Sequence, residues 1–300
     1  MATHSGFITI IGKPNVGKST LLNALVGEKI AITSPKVQTT RFRITGILNE
    51  DNKQFVFIDT PGMHKGYHKL GMDMDEVAHQ SMMDVDVILW VVDQAFKKSD
   101  ETILNRVKEA NLPTILVINK IDTLKSKAEI DQIIVSFISK HNFESVIPIS
   151  AMDKTHLDKL KEAITPHLIE GPMFYPEDMK TDQSQTSRMA ELIRERILYH
   201  TEQEVPHSVA VILENMSLNE ELNTVDVDAL IIVERDSQKG ILIGKQGERL
   251  KRIGTEARKE INKLFNLKVH LTLWVKVKKD WRNDPSTIKR FGYGDDSWKE

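Results

Sequence analysis

Residues 12–19 read Gly-Lys-Pro-Asn-Val-Gly-Lys-Ser, with Thr20 following, and match the spacing G-x-x-x-x-G-K-[ST]. Those residue types suit a polyphosphate. Gly12, Lys13, Asn15, Val16 and Gly17 offer backbone N–H donors around Pro14, which has none, and the helix that the loop opens adds its positive end. The Lys18 ammonium can meet the β- and γ-phosphates, and the Ser19 hydroxyl can ligate Mg²⁺. Context supports the match, because the loop follows the apolar run Phe7–Ile11 and precedes the helix-like STLLNALVG.

Three further clusters complete a guanine-nucleotide site. Asp59-Thr60-Pro61-Gly62 lies 40 residues beyond Ser19 and follows the apolar QFVFI. Its carboxylate can hold Mg²⁺ through water, and the Gly62 N–H can sense a γ-phosphate. Asn119-Lys120-Ile121-Asp122 follows TILVI. Asp122 can accept both hydrogen bonds from the N1–H and N2–H₂ edge of guanine, a pair that adenine cannot donate. Asn119 can bridge to the phosphate loop, and the Lys120 stem can lie along the base. Ser150-Ala151, with Met152 beside it, follows SVIPI and offers a backbone N–H to guanine O6. Between the first two clusters, Thr39 and Thr40 are candidates for a switch threonine that closes on Mg²⁺ when a γ-phosphate is present; Thr40 is the preferred one. Ras-like enzymes carry a water-orienting glutamine directly after the glycine of the second cluster. Here that residue is Met63, whose thioether cannot orient water, so intrinsic hydrolysis is expected to be slow.

The elements that must position these clusters are readable too. Apolar runs at Phe7–Ile11, Phe55–Ile58, Val87–Val92, Thr114–Ile118 and Val146–Ile149 are rich in Val and Ile. They are separated by amphipathic stretches, as in βαβ units, which predicts a mostly parallel sheet covered by helices on both faces. Arg41–Leu48 alternates and is expected as an additional, half-exposed strand. Each candidate cluster falls at the carboxyl end of a strand, the edge where doubly wound sheets bind ligands.

A polar stretch with Gly171, Pro172 and Pro176 then reads as a linker, residues 171–186, which separates a domain over 1–170 from a second over 187–282 and a tail over 283–300. The second domain reads as an amphipathic helix from about Met189, strands near Ser208–Leu213 and Val225–Val233, two helices, and a strand Lys268–Val277. The order α-β-β-α-α-β predicts a three-stranded sheet with helices on one side. Between its two consecutive helices lies Gly244-Lys245-Gln246-Gly247. A G-x-x-G turn can be a mere helix–helix connection. With a basic helix carrying Lys251 and Arg252 after it, it fits the loop with which KH modules clamp a single-stranded RNA backbone. Charge agrees: Lys239–Arg282 holds 13 Lys and Arg against 4 acidic residues, whereas the whole chain is at −2. In the last strand, Trp274 is expected in the core.

The combination GKPNVGKST, QTTR, DTPG, NKID, SA, the G-x-x-G module and a tail with GYGDD resembles the bacterial Era-like GTPases over essentially the whole chain. The resemblance implies an α/β P-loop GTPase of Ras-like fold followed by an α+β type II KH domain, a GTP/GDP and Mg²⁺ ligand set, and binding near the 3′ end of 16S rRNA in small ribosomal subunit assembly. It also implies loose association with a membrane surface, and K⁺ held by Asn15 in place of a missing arginine. A monomer without DNA partners is expected. The rival readings are a GTPase of tRNA modification and a structural RNA-binding protein with a vestigial nucleotide site. The absence of cysteine removes thiolate metal sites, and no run reaches the length of a membrane span.

Overall fold

The structure is a computed structural model in which residues 2–62, 68–220 and 222–293 are described. It forms two compact units. Among the described residues, the first is built from residues up to Asp182 without Ile32–Thr39 and 68–70, and the second from Gln183 onward together with those two segments.

In the first unit, β1 (His4–Ile11), α1 (Lys18–Val26), β2 (Ile44–Glu50), β3 (Lys53–Asp59), α2 (Lys69–Gln80), β4 (Val87–Val92), α3 (Glu101–Ala110), β5 (Thr114–Ile118), α4 (Lys127–Ile138), β6 (Ser145–Pro148), α5 (Leu157–Ile164) and β7 (Ile169–Glu170) follow in order. The sheet runs β2-β3-β1-β4-β5-β6, and β7 pairs with β1. Only β2 and β7 are antiparallel to their partners. A sheet buried on both faces needs continuous apolar strands, and VILWVV of β4 and TILVI of β5 are buried at every position. One face packs Ile8, Ile10 and Leu89 against Leu21 and Leu22 of α1 and Leu160 of α5. The other packs Ile88, Trp90 and Leu116 against Ala78 of α2, Val107 of α3 and Phe137 of α4.

The strand expected at Arg41–Leu48 begins three residues later and is mostly buried rather than half-exposed. Its free edge is covered by the chain between Gly171 and Asp182. Ile47 donates to the Lys180 carbonyl at 2.8 Å, and Thr181 Oγ1 to the Thr45 carbonyl at 2.7 Å. That segment, read from composition as a linker, thus shields an edge that would otherwise invite pairing.

The second unit contains α6 (Gln185–His200), α7 (Val205–Ser208), β8 (Ala210–Asn219), β9 (Thr224–Val233), α8 (Asp236–Ile243), α9 (Glu248–Phe265), β10 (Val269–Val277) and α10 (Pro285–Arg290); its three-stranded sheet is ordered β10-β9-β8, with α6, α8 and α9 over one face. Its core joins Ile193 and Ile197 of α6 and Ile253, Ala257 and Ile261 of α9 to Val227, Ile231 and Val275 of the sheet. Ile32 belongs to the same core. Beside it Thr33 donates to Glu195 Oε1 at 2.9 Å, and Arg194 donates to the Thr39 carbonyl. Trp274, expected in the core, is 58% exposed. The two-residue period decides this: Val269 and Val275 face the helices, so Trp274 faces away from them. No helix among the described residues is long and apolar enough to cross a membrane.

Candidate functional site

The phosphate loop needs backbone that most residues resist. Gly12 and Gly17 have φ of 151° and 96°, and Asn15, a residue that tolerates the left-handed region, has φ of 64°. Space is as strict as conformation: a Cβ on Gly17 would stand 2.2 Å from Asn119 Nδ2, and one on Gly12 2.4 Å from the Val91 carbonyl. Lys18 is buried, and its ammonium donates to the carbonyls of Gly12 and Lys13 at 3.1 and 3.0 Å. Burial lowers its pKa to about 8, opposed by the nearby Asp59 carboxylate.

Asp59, at the end of β3, is fully buried. One carboxylate oxygen accepts from Ser19 Oγ at 2.6 Å and from Thr40 Oγ1 at 3.4 Å, and the two hydroxyls are 2.8 Å apart. The other oxygen, Oδ1, is buried with no partner. Burial raises this carboxyl's pKa to about 6, against the pull of Lys18 and the Ser19 and Thr40 hydroxyls. Two hydroxyls and a carboxylate with an unused, desolvated oxygen form a hard-oxygen set that fits Mg²⁺. Among the described residues there is no group of three or more His, Asp or Glu able to hold an ion by themselves, so such an ion would need phosphate oxygens as well.

The two candidate threonines separate. Thr40 stands with Ser19 and Asp59, whereas the Thr39 hydroxyl donates to the Lys36 carbonyl at 2.7 Å and pairs with Ser34 at 2.8 Å. The Thr60 hydroxyl is taken by the Ile10 carbonyl at 3.0 Å, a structural bond inside the sheet. Gly62 lies against Pro14, where a Cβ would come within 3.0 Å. Met63 lies outside the described residues.

Asn119 ties three segments together. Its amide donates to the Val16 carbonyl at 2.9 Å, and its oxygen accepts from the Ala151 N–H at 3.0 Å. A guanine O6 drawn to Ala151 would share that hydrogen with Asn119. Lys120 donates to the Asn15 carbonyl at 2.5 Å and pairs with Asp93 at 2.7 Å. Asp122 and Met152 are exposed, whereas Ser150 is buried and accepts from the Asp153 N–H at 3.1 Å. Thr20 is half-buried behind Ser19. The Lys13 side chain leaves the loop for Asp100, at 2.8 Å, so only its backbone is offered to a phosphate. Sequence reasoning missed Asp93 and Asp100. Asp93 directly follows β4 in VVD, a carboxylate just past the end of an apolar strand, and that placement was its signal.

In the second unit Gly244, Gln246 and Gly247 have φ of 72°, 51° and 81°. A Cβ on Gly244 would stand 2.9 Å from Arg249 Cβ. The turn presents Lys245 and Gln246 to solvent at the start of α9, and Lys251 and Arg252 are exposed on its first turns. Beside it α9 and β10 enclose a groove of about 540 Å³, lined among others by Gly247, Leu250, Gly254, Arg258, Leu271 and Leu273. A Cβ on Gly254 would meet Leu273 at 3.2 Å, so the glycine keeps the groove open. Gly254 and Arg258 went unread in the sequence, although their spacing from Leu250 and Lys251 puts them on one helix face.

Residues 7–120 match the family model of 50S ribosome-binding GTPases, and residues 204–282 match the KH domain. The chain is 48% identical to GTPase Era of Heliobacterium modesticaldum over 292 residues, covering 97% of each protein. It is 46% identical to GTPase Era of Caldanaerobacter subterraneus over 298 residues, 99% of this chain and 100% of that one. A solved structure of a variant Era from Aquifex aeolicus bound to GDP and AlF₄⁻ superimposes with a TM-score of 0.94 at 41% identity, covering 97% of this chain and 100% of that chain. Another, Era in complex with MgGDPNP and nucleotides 1506–1542 of 16S rRNA, gives the same TM-score and identity, with 97% and 99% covered.

Proposed function

The chain belongs to the Era family of GTPases, and from that premise we propose that it is a nucleotide-controlled switch that binds 16S rRNA near its 3′ end and assists assembly of the small ribosomal subunit. It is a GTPase with a C-terminal KH domain. In the proposed division of labour, residues 1–170 hold the nucleotide and residues 187–282 hold RNA, as a monomer.

The observation that carries the nucleotide reading is the convergence of Ser19, Thr40 and Asp59 on one buried carboxylate with an unused oxygen, beside Lys18. Lys18 and the N–H groups of Lys13 and of Asn15 to Ser19 would neutralise and orient the β- and γ-phosphates. Ser19, Thr40 and Asp59 would hold Mg²⁺, which when bound stabilises the negative charge on the transferring phosphoryl group. Water adds to the γ-phosphorus, the bond from it to the β–γ bridging oxygen breaks, and GDP keeps the electron pair. Asp122 would choose guanine, and Asn119 would hold loop and base-binding segment in register. Thr40 already stands beside Ser19 and Asp59; an ion and γ-phosphate would hold it there, and their loss would release the segment before it, making that segment sensitive to hydrolysis.

Neither Met63 nor a readable arginine serves the attacking water, and the backbone carbonyl of Asn15 already anchors Lys120. We assign to the Asn15 side chain a K⁺ ion as the missing positive charge. Turnover by the purified protein in K⁺ and in Na⁺ tests this: K⁺ should be the faster, Asn15→Ala should erase the difference while GTP still binds, and equal rates in wild type would remove the ion. Crosslinking of the protein to 16S rRNA tests the other half. Contacts clustered near the 3′ end are expected, and their absence would leave a GTPase with another RNA partner.

A further inference from the structure

β10 is the edge strand of its sheet, and its faces differ in what they meet. Leu271 and Leu273 look into the groove beside α9. His270, Trp274 and Lys276 look the other way, where no helix of α6, α8 or α9 packs, while Thr272 borders the groove. Trp274 is the one exposed tryptophan among the described residues. It pairs in register with Leu230, which pairs with Ile212, giving an apolar row across all three strands. A cavity of about 610 Å³ opens on the same face, lined among others by Ile212, Leu230, Lys276, Lys278, Arg290 and Phe291.

The cations there are weakly engaged. Lys276 stands 3.9 Å from Glu214 and Lys278 3.9 Å from Asp284, both more than two-fifths exposed. Lys278 also lies 5.9 Å from the Phe291 ring centroid. Arg290 is exposed and takes part in no ion pair among the described residues. An exposed indole with Lys276 two residues along the same face, and Lys278 and Arg290 further on around the cavity, suits single-stranded nucleic acid: every base has a face to stack, and its phosphates need countercharge.

Position links this face to the groove. Leu273 lines the groove and Trp274 is the next residue, about 3.3 Å further along the strand and on the opposite face. A strand leaving the groove over the edge of β10 meets the indole next. One KH loop clamps about four nucleotides, whereas the RNA solved with the related Era spans nucleotides 1506–1542.

We propose that the Trp274 face is a second RNA contact, on which a base beyond the groove stacks while Lys276, Lys278 and Arg290 meet its phosphates. The proposal rests on the RNA-binding reading above. The test is a length series: oligoribonucleotides of about four, six and eight nucleotides from the 3′ end of 16S rRNA, titrated by fluorescence anisotropy into the full chain. In wild type the longer strands should bind more tightly than the shortest. Trp274→Ala should reduce the ratio of long-strand to short-strand affinity about tenfold, the scale of one base–aromatic stack. Trp274→Phe, which keeps a stacking face, should restore most of it. A ratio unchanged in Trp274→Ala would overturn the proposal and leave the row as a surface for an apolar protein segment. A drop that Phe does not repair would overturn it too, as a purely structural effect. Wild type that binds none of the strands would sink the RNA reading itself rather than the role of Trp274.

Discussion

Gly12–Ser19 and Gly244–Gly247 both turn the chain through left-handed glycines into the first turn of a helix, yet they are built in opposite ways. The first is enclosed. Lys18 and Asp59 are buried, their pKa values are displaced, and Asn119 reaches in from a strand a hundred residues away to hold the loop. The second is open: Lys245 and Gln246 face water. The enclosed loop can discriminate, because a buried polar group without its partner carries a large penalty. The open loop can only attract, through charges that salt screens. One is built for selecting a ligand, the other for sliding a backbone into place.

The largest expected effect tests the discriminating half. Asp122→Asn should move the preference of the nucleotide site from guanine toward xanthine, since the amide presents a donor where xanthine offers an acceptor. Competition between GTP and XTP should swing by ~10⁴-fold. An undiminished preference for GTP would mean that Asp122 does not face the base.

Next in size is the open loop. Lys245→Asp with Gln246→Asp places two negative charges where a phosphate backbone must pass. Binding of a single-stranded rRNA oligonucleotide should fall by roughly 10²-fold at low salt, because favourable phosphate contacts become repulsive. GTP affinity measured on the same preparation should hold. Full retention of RNA would reduce Gly244–Gly247 to a helix turn.

Protons probe the buried pair. With the Asp59 pKa raised to about 6 from 3.8, the folded state takes up a proton between those values that the unfolded chain lacks. Stability of the ligand-free protein therefore falls as pH rises through that window. With the Lys18 pKa lowered to about 8 from 10.5, the unfolded chain holds the extra proton between those values, and stability rises with pH there. The empty site is thus most unfavourable between about pH 6 and 8. Bound Mg²⁺ and phosphates give both charges partners, so calorimetry should find Mg²⁺·GTP affinity falling about tenfold per pH unit below pH 6 as protons compete for Asp59. A flat profile would mean that Asp59 stays charged without the ion.

The smallest effect is on a slope. Lys245→Ala should weaken all RNA sequences alike and flatten log K against log salt by ~0.7, one phosphate contact on a single strand. A loss confined to one sequence would show that the open loop reads bases after all.

The same contrast governs what could be read without coordinates. The nucleotide loop needs glycine at two positions, lysine at one and a hydroxyl at one, each for a separate physical reason, so its pattern in sequence is dense. The parallel strands themselves were legible too, because strands buried on both faces must be continuous apolar runs. Charges recruited from afar left weaker traces: Asp93 and Asp100 become meaningful only once β4 and the start of α3 are seen beside Lys120 and Lys13. The cover on β2 was illegible because it rests on one backbone bond to the Lys180 carbonyl and one from the Thr181 hydroxyl, which the polar composition of segment 171–182 does not disclose. Trp274 was misread because basic and apolar residues alternate along β10, and nothing in the strand itself says which face the helices will occupy.

Asn119 bonds to residue 16 on one side and residue 151 on the other. Measured along the chain, the nucleotide site is therefore complete only when synthesis has passed Ala151, about half of the sequence. A nascent chain already displays all of Gly12–Ser19 when β1 and α1 emerge, but the residue that pins the loop arrives a hundred positions later, and its second partner arrives with the turn after β6. Until then the loop's left-handed residues lack the bonds that hold them. On a ribosome, GTP would thus recognise a finished domain and pass over a partial one.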